Sequence, residues 1–451
     1  MSISEAKPSN QPAAIAAARR NGRPLRIGGG PPNYADNAGK ALGENWKGVT
    51  TDGAPLQGLF PIQQTGVSTQ PIREAAEAFL ASLDAEQRRH TLFPFDAPEW
   101  RLWSNIHRTI MRHGMPLFAM TDHQLEHAFA LLQESLSAQG FQTARDIMRL
   151  NETVMEMTGK LDEFGEDLYW LSIMGTPSEK EPWGWQIDGH HLNVNFFVLG
   201  DQVTMTPAFL GSEPVHALSG KYAGTRVFQA EEARGLALMR SLTGDQRGKA
   251  VIGASLPKDL FTTAFRDNLE LRYQGIHYDQ LNGAQHDLLA QLVEIHVGKL
   301  RPGHSAIKLV ETHSHFKDTY FAWVAAWKKT AFSITASIAR CCWSSSIIKP
   351  ARPFPNTKSI TKIIFTSCAR PTATITAEIC CASITSDRGI IEFEVGIRKR
   401  AWLTGACGLC SDDRPAPGTG CFPDRHPRRA LSQGPAHRHL SGRTPGLAQT
   451  V

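Results

Sequence analysis

The chain has 451 residues, 41% of them hydrophobic, and a formal net charge of +5. No run approaches the roughly 20 apolar residues of a membrane span, and in AAIAAARR near the start the basic pair follows the apolar patch, the wrong order for a secretory signal, so a cytoplasmic protein with no membrane partner is expected. The overall charge misleads: 18 Lys/Arg against 7 Asp/Glu lie after Trp327, so the body is acidic and nucleic-acid binding is not indicated.

Residues 1–47 are rich in Pro, Gly, Asn and Ala and read as a disordered or loosely docked leader. From Gly48 to Thr69, short apolar pairs between turn residues predict one or two strands feeding a sheet. Pro71 then opens a helix, IREAAEAFLASL, with apolar residues at helical spacing. A phrase recurs at Leu83 (LDAEQRR), Met120 (MTDHQLE), Leu242 (LTGDQRG) and Leu281 (LNGAQHD). In the first two, Asp84 or Thr121 stands in N-cap position with Gln87 or Gln124 three residues on, a capping-box arrangement. Trp100 and Trp103 read as helix-face core residues, and His107 nearby is a weak candidate. Helices are predicted over Phe141–Thr158, Glu163–Met174 and from Gln229 to about Gly298. Ala306–Val324 reads as strand, loop and strand, with His313 and His315 alternating.

Between Pro182 and Pro207, PWGWQIDGHHLNVNFFVLGDQVTMTP carries the densest periodic signal. Asp188-Gly189 and Gly200-Asp201 each suit a two-residue hairpin loop. Side chains alternate across a strand, so Trp185, Ile187, His190, Leu192, Val194, Phe196, Val198, Val203 and Met205 fall on one face. Gln186, His191, Asn193, Asn195, Thr204 and Thr206 fall on the other, with Phe197 among them. Adjacent histidines on a regular strand point apart, so His191 is the candidate metal ligand or general base and His190 a hydrogen-bonded core histidine. Gln186, Asn193, Asn195 and Trp185 are the candidate substrate contacts, and Glu213 in the following loop is a candidate acid. The plainer reading of the Asn/Thr row is a solvated sheet face.

Composition breaks near residue 327. All eight cysteines lie beyond it, all tyrosines and methionines before it, and no leucine occurs from Ala331 to Trp402. Loss of one nucleotide near Val324 accounts for this. Each true codon would then join the third base of one written codon to the first two of the next. Read so, Val324–Pro350 permits VGGLEENSVFYYRIHSPVLLVEFDHQT, and Thr361 onward permits H-x-x-HIHVVRTPNGNDYG, with leucine and tyrosine back at normal density. The written residues 328–451 are then expected to be a frameshifted tail without a coherent core. Its CGLC at Cys407–Cys410 lacks a second pair that would support zinc or redox work.

GVTTDG at Gly48, GLFPI at Gly58, DIMRLN at Asp146, MGTPS at Met174, the long stretch PWGWQIDGHHLNVNFFVLGDQVTMTPAFLGSEPV at Pro182, SGKYAGT at Ser219 and TYFAWV at Thr319 together resemble the domain of unknown function 3500 family. The resemblance covers about residues 48–324. It implies a C-terminal continuation with Asp-His and His-x-His that the shifted frame restores and the written chain lacks. Beside the GHH strand, these would make a multi-histidine metal or acid/base centre. The expected fold is α+β, antiparallel sheet segments packed with amphipathic helices, in one domain over 48–327. The expected function is a His-centred enzyme acting on a small molecule, assisted by a divalent metal ion. The alternatives are a non-catalytic small-molecule or sugar-binding module and an inactive product of a disrupted gene.

Overall fold

The structure is a computed structural model describing residues 39–40, 43–45, 47–55, 62–105, 113–254, 264–266, 268–324, 332–339, 342–350 and 362–369, the last three as backbone strands. The fold is α+β. Strand β1 (Val49–Thr50) does not feed the main sheet; it pairs in parallel with β10 (Leu269–Glu270). Helix α1 (Gln70–Ser82) has Pro71 in its first turn, where a missing N–H costs nothing, and buries Ile72, Ala76, Phe79 and Leu80 at helical spacing. Helix α2 (Ala85–Thr91) follows, then β2 (Leu92–Phe93), β3 (Met115–Pro116), α3 (Asp122–Ser135), α4 (Ala138–Thr158) and β4 (Tyr169–Met174).

Strand β4 lies in the region read as a helix over Glu163–Met174. All six of its residues are buried, so neither face shows the polar alternation that marks a strand. The meander follows: β5 (Trp183–Gly189), β6 (Leu192–Leu199), β7 (Gln202–Thr204) and β8 (Ala208–Ser212).

From α5 (Gln229–Ser241) the same succession begins again. Helix α6 (Gly244–Ala250) leads to β9 (Val251–Gly253), β11 (Ile276–His277), α7 (Gly283–Val297), α8 (Pro302–Ser314) and β12 (Tyr320–Val324). Helix α8 replaces the first strand expected over Ala306–Val324: Pro302 in its first turn and the burial of His304, Ser305 and Thr312 at helical spacing outweigh the β-branched Ile307, Val310 and Thr312. His313 and His315 therefore sit at a helix end, not on a strand. Strands β13 (Phe332–Ala339), β14 (Cys342–Pro350) and β15 (Lys362–Ala369) complete the series, placing part of the written segment after 327 in the sheet. Their Ile- and Thr-rich composition favours extended chain.

The main sheet runs β11-β12-β13-β14-β15-β8-β6-β5-β4-β2. Strands β2 and β3 flank β4 as β9 and β11 flank β12, the first of each pair parallel and the second antiparallel. The two series meet at the antiparallel β8–β15 pair, so the order from either edge inward is the same. The chain is an internal duplication, and the recurring phrase is its sequence trace.

The phrase works the same way in both copies. Thr121 and Gln124 close a capping box at α3, and Asn282 and Gln285 close one at α7. The glutamine amide then reaches the preceding helix pair: Gln124 Nε2 donates to Ser82 O and Gln285 Nε2 to Ser241 O, each at 2.9 Å. It also meets the phrase's other glutamine, Gln124 with Gln87 at 2.7 Å and Gln285 with Gln246 at 2.9 Å. Both residues are buried. Gln124→Ala and Gln285→Ala should each destabilise the fold by about 1–3 kcal/mol, because buried carbonyl and N–H groups lose their partner. Urea denaturation should show the two losses adding in the double variant, since the sites share no partner.

Candidate functional site

The β5–β6 hairpin positions the candidate residues. Its register is Trp185↔Phe196, Ile187↔Val194 and Asp188↔Asn193, so the turn is His190-His191 and not Asp188-Gly189. Gly189 is a ladder residue that also pairs with Tyr169; a Cβ there would lie 2.3 Å from the Tyr169 ring. The left-handed turn position falls to His191, with φ 61°. The register differs from the expected one by four residues along β6, an even number, so the two faces keep their membership. The second turn is as expected: Leu199 pairs with Gln202 and Val198 with Val203.

The apolar face, from Ile187 to Met205, joins the main core. Trp185 belongs there. It is fully buried, stacks on Phe196 at 5.2 Å and donates from Nε1 to Ser135 Oγ at 3.0 Å. The structure does not bring it to Gln186, Asn193 or Asn195.

The polar face is not solvated. Gln186, Asp188, Asn193 and Asn195 are 1%, 2%, 0% and 3% exposed. The segment around the short 3-10 turn Pro98–Arg101 covers them, with Trp100 and Trp103 buried, though not on an α-helix. Gln186 Nε2 donates to Asn195 Oδ1 at 2.5 Å and its Oε1 meets His113 Nε2. Asn195 Nδ2 donates to Pro207 O at 2.8 Å. Asp188 Oδ1 accepts from Ser104 N at 3.1 Å and from Asn193 Nδ2, which also donates to Ser104 O at 3.0 Å. Asn193 Oδ1 and Ser104 Oγ are buried without a hydrogen-bond partner among the described residues. Burial pushes the His113 imidazole below its ordinary pKa, against the opposing pull of Gln186 and Glu99.

His191 closes one end of this row. Its N–H donates to Asn105 O at 3.2 Å, its carbonyl accepts from Gly211 N at 2.7 Å, and its ring lies edge-on to Phe209, the cross-strand neighbour of Asn193. His191 therefore shares a side with Asn193. Glu213 is half-buried two residues beyond Gly211, at the end of β8. His190 and His191 sit in a turn, where strand alternation does not hold, and their rings are 3.8 Å apart. His190 is hydrogen-bonded, to Asn151, but half-buried instead of sunk in the core. Among the described residues no three His, Cys, Asp or Glu side chains gather where they could hold a metal. His107 lies outside the described residues.

The model for the protein family of unknown function DUF3500 matches residues 65–334. The chain belongs to this family. No curated protein and no solved structure matches the chain. The DUF3500 match takes in both copies of the duplication as far as β13 and every residue of the polar row. Sequence reasoning missed Asp188, Ser104 and His113 in this DUF3500 site. Alternation two residues from Gln186 would have found Asp188, had it not been spent on a turn; the other two come from distant segments and left no local signal. No described helix is long and apolar enough to cross a membrane.

Proposed function

We propose that the polar side of the β5–β6 hairpin binds a small hydroxyl- or amine-bearing molecule, with Gln186, Asn193 and Asn195 orienting it and His191 as general base at its edge. The pair Asn193 Oδ1 and Ser104 Oγ, buried and unpartnered among the described residues beside the Asp188 carboxylate, carries this reading. An unanswered buried polar group costs about 1–3 kcal/mol, and such groups persist where a ligand or ordered water answers them. Glu213 is the companion acid. The left-handed backbone of His191 supports a functional assignment, because such positions cluster at working sites.

A divalent metal does not fit the described residues alone, among which no three His, Cys, Asp or Glu side chains gather to hold one. The shifted frame supports a second reading, that residues after about 327 are a frameshifted tail and this chain an inactive product of a disrupted gene. It reads histidine at positions 348, 364 and 366, written Ile348, Ile364 and Thr366. In the backbone register Ile348 pairs with Ile364 and Ile364 with Ser212, a row that ends beside the His190-His191 turn. Resequencing the gene around codon 324 decides it: a missing base supports this reading, an unbroken frame removes it.

The binding reading is tested by a thermal-shift screen of monosaccharides, polyols and amino acids, followed by titration calorimetry. A stabilising compound is expected, with affinity at least about tenfold weaker against Asn193→Leu and His191→Ala, the loss of one good hydrogen bond. No stabilising compound, or one that both variants bind equally well, would overturn it.

A further inference from the structure

We propose that His123 and His127, one helical turn apart on α3, form a two-imidazole site for a divalent transition-metal ion, zinc being the ion whose bond lengths fit. Residues four apart on a helix are neighbours on its surface. Here the two Nε2 atoms lie 3.2 Å from each other, with the ring planes at 87°. His123 is exposed and His127 half-buried. The site shares no residue with the polar row and does not rest on the function proposed for it.

The spacing is that of a chelate. Zinc binds imidazole nitrogen at about 2.0–2.1 Å, so two nitrogens at adjacent tetrahedral positions stand about 3.3 Å apart. A neutral imidazole has one N–H and one lone pair, and between two Nε2 atoms this close there is room for a single hydrogen. Zinc takes its place. The displaced hydrogen goes to Nδ1 of the same ring, both Nε2 lone pairs then face the ion, and no net proton is released. Among the described residues nothing else holds either ring by a hydrogen bond or an ion pair. The backbone beneath them is fixed by the Thr121–Gln124 capping box and by the bond from Gln124 Nε2 to Ser82 O at 2.9 Å. The positive end of the helix opposes a cation, and Asp122 and Glu126 in the same two turns counter it.

The duplication supplies an internal control. Thr121 and Gln124 of α3 correspond to Asn282 and Gln285 of α7, so His123 and His127 correspond to Ala284 and Leu288. The second copy keeps the capping pair and carries neither imidazole, so the helix and its packing do not require them. The stretch also spells H-Q-L-E-H, the H-x-x-E-H order of one class of zinc enzymes. A catalytic zinc keeps three protein ligands. Among the described residues no third His, Cys, Asp or Glu gathers here, so the site binds the ion reversibly, with water in the remaining positions, and is not a hydrolytic centre.

Histidine acylation by diethyl pyrocarbonate, read residue by residue by mass spectrometry on the full chain, tests this under buffered free Zn2+. Zinc should protect His123 and His127 together, and Mg2+ neither, since it takes oxygen ligands. In His123→Ala and in His127→Ala the remaining histidine should need at least about tenfold more zinc for the same protection, the loss of one of two ligands. Alanine is the best helix former, so both variants keep α3. Zinc that leaves either ring fully reactive in the unmutated chain overturns the proposal. So does protection of His127 at the same free zinc concentration in His123→Ala, or protection by Mg2+ equal to that by zinc.

Discussion

Replacing Lys299 by methionine will cost the fold about 3–5 kcal/mol, the usual penalty for leaving one member of a buried ion pair without the other. Lys299 Nζ lies 2.7 Å from Glu231 Oε1, with the side chains 3% and 5% exposed. The pair sits where the two copies of the duplication are joined. Lys299 O accepts from Ser137 N at 2.9 Å at the start of α4, and Leu136 bridges Leu300. Gly140 allows this close approach, since a Cβ there would lie 2.3 Å from Lys299 O. Removing the lysine strands the carboxylate of Glu231, whose pKa burial would raise but which the Lys299 charge and hydrogen bond bring down overall. The double replacement Glu231→Leu with Lys299→Met should recover most of the loss, because apolar side chains of similar volume need no counter-charge. Denaturant titration of the three variants measures both effects. A neutral Lys299→Met would show that the seam does not depend on this pair.

Stability should also fall steeply as pH drops from about 6.5 to 4, by roughly 3 kcal/mol for each of two histidines. His296 and His304 are buried, and both are held down to a pKa of about 4. Burial is the main cause, with repulsion from Lys299 acting on His296 and from Arg301 on His304. Their pKa is lower folded than unfolded, so the unfolded chain takes up the proton first. The stability is full above the unfolded value of 6.5 and is lost as pH falls toward the folded one. Glu231, depressed below 4.5, adds a further loss beneath that window. Both ring nitrogens of His296 lack a hydrogen-bond partner among the described residues, so His296→Leu should flatten its share of the slope without a large cost at neutral pH. Unfolding free energy measured at pH steps from 7.5 to 3.5 (about one proton uptake per histidine) checks this; a profile unchanged by His296→Leu would contradict it.

What the sequence shows of this fold is what local chemistry decides. The Gly200-Asp201 turn and the Asp84 and Thr121 capping boxes rest on residues a few positions apart, and they form as read. Strand β4 and helix α8 are exchanged in kind because burial on both faces erases period in Tyr169–Met174 and because β propensity yields to Pro302 in the first turn and to packing of one helix face in Pro302–Ser314. The candidate site is half legible. Alternation sorts Gln186, Asn193 and Asn195 onto one side whichever turn is chosen, as long as the register changes by an even number. That this side is buried is not legible, since Trp100, Trp103 and Ser104 arrive from roughly eighty residues upstream. The hydrogen bond of His190 is hidden for the same reason: its partner, Asn151, lies on a helix 39 residues upstream of the turn.

A high-resolution crystal structure of the full chain would test the site most directly, by the electron density around Asn193 Oδ1 and Ser104 Oγ. An ordered small molecule or solvent cluster is expected to bridge those two atoms at hydrogen-bond distance, next to Asp188 and within reach of His191. Both atoms bonded to protein groups, with no space left between them, would mean that the polar row only fastens the covering segment to the sheet.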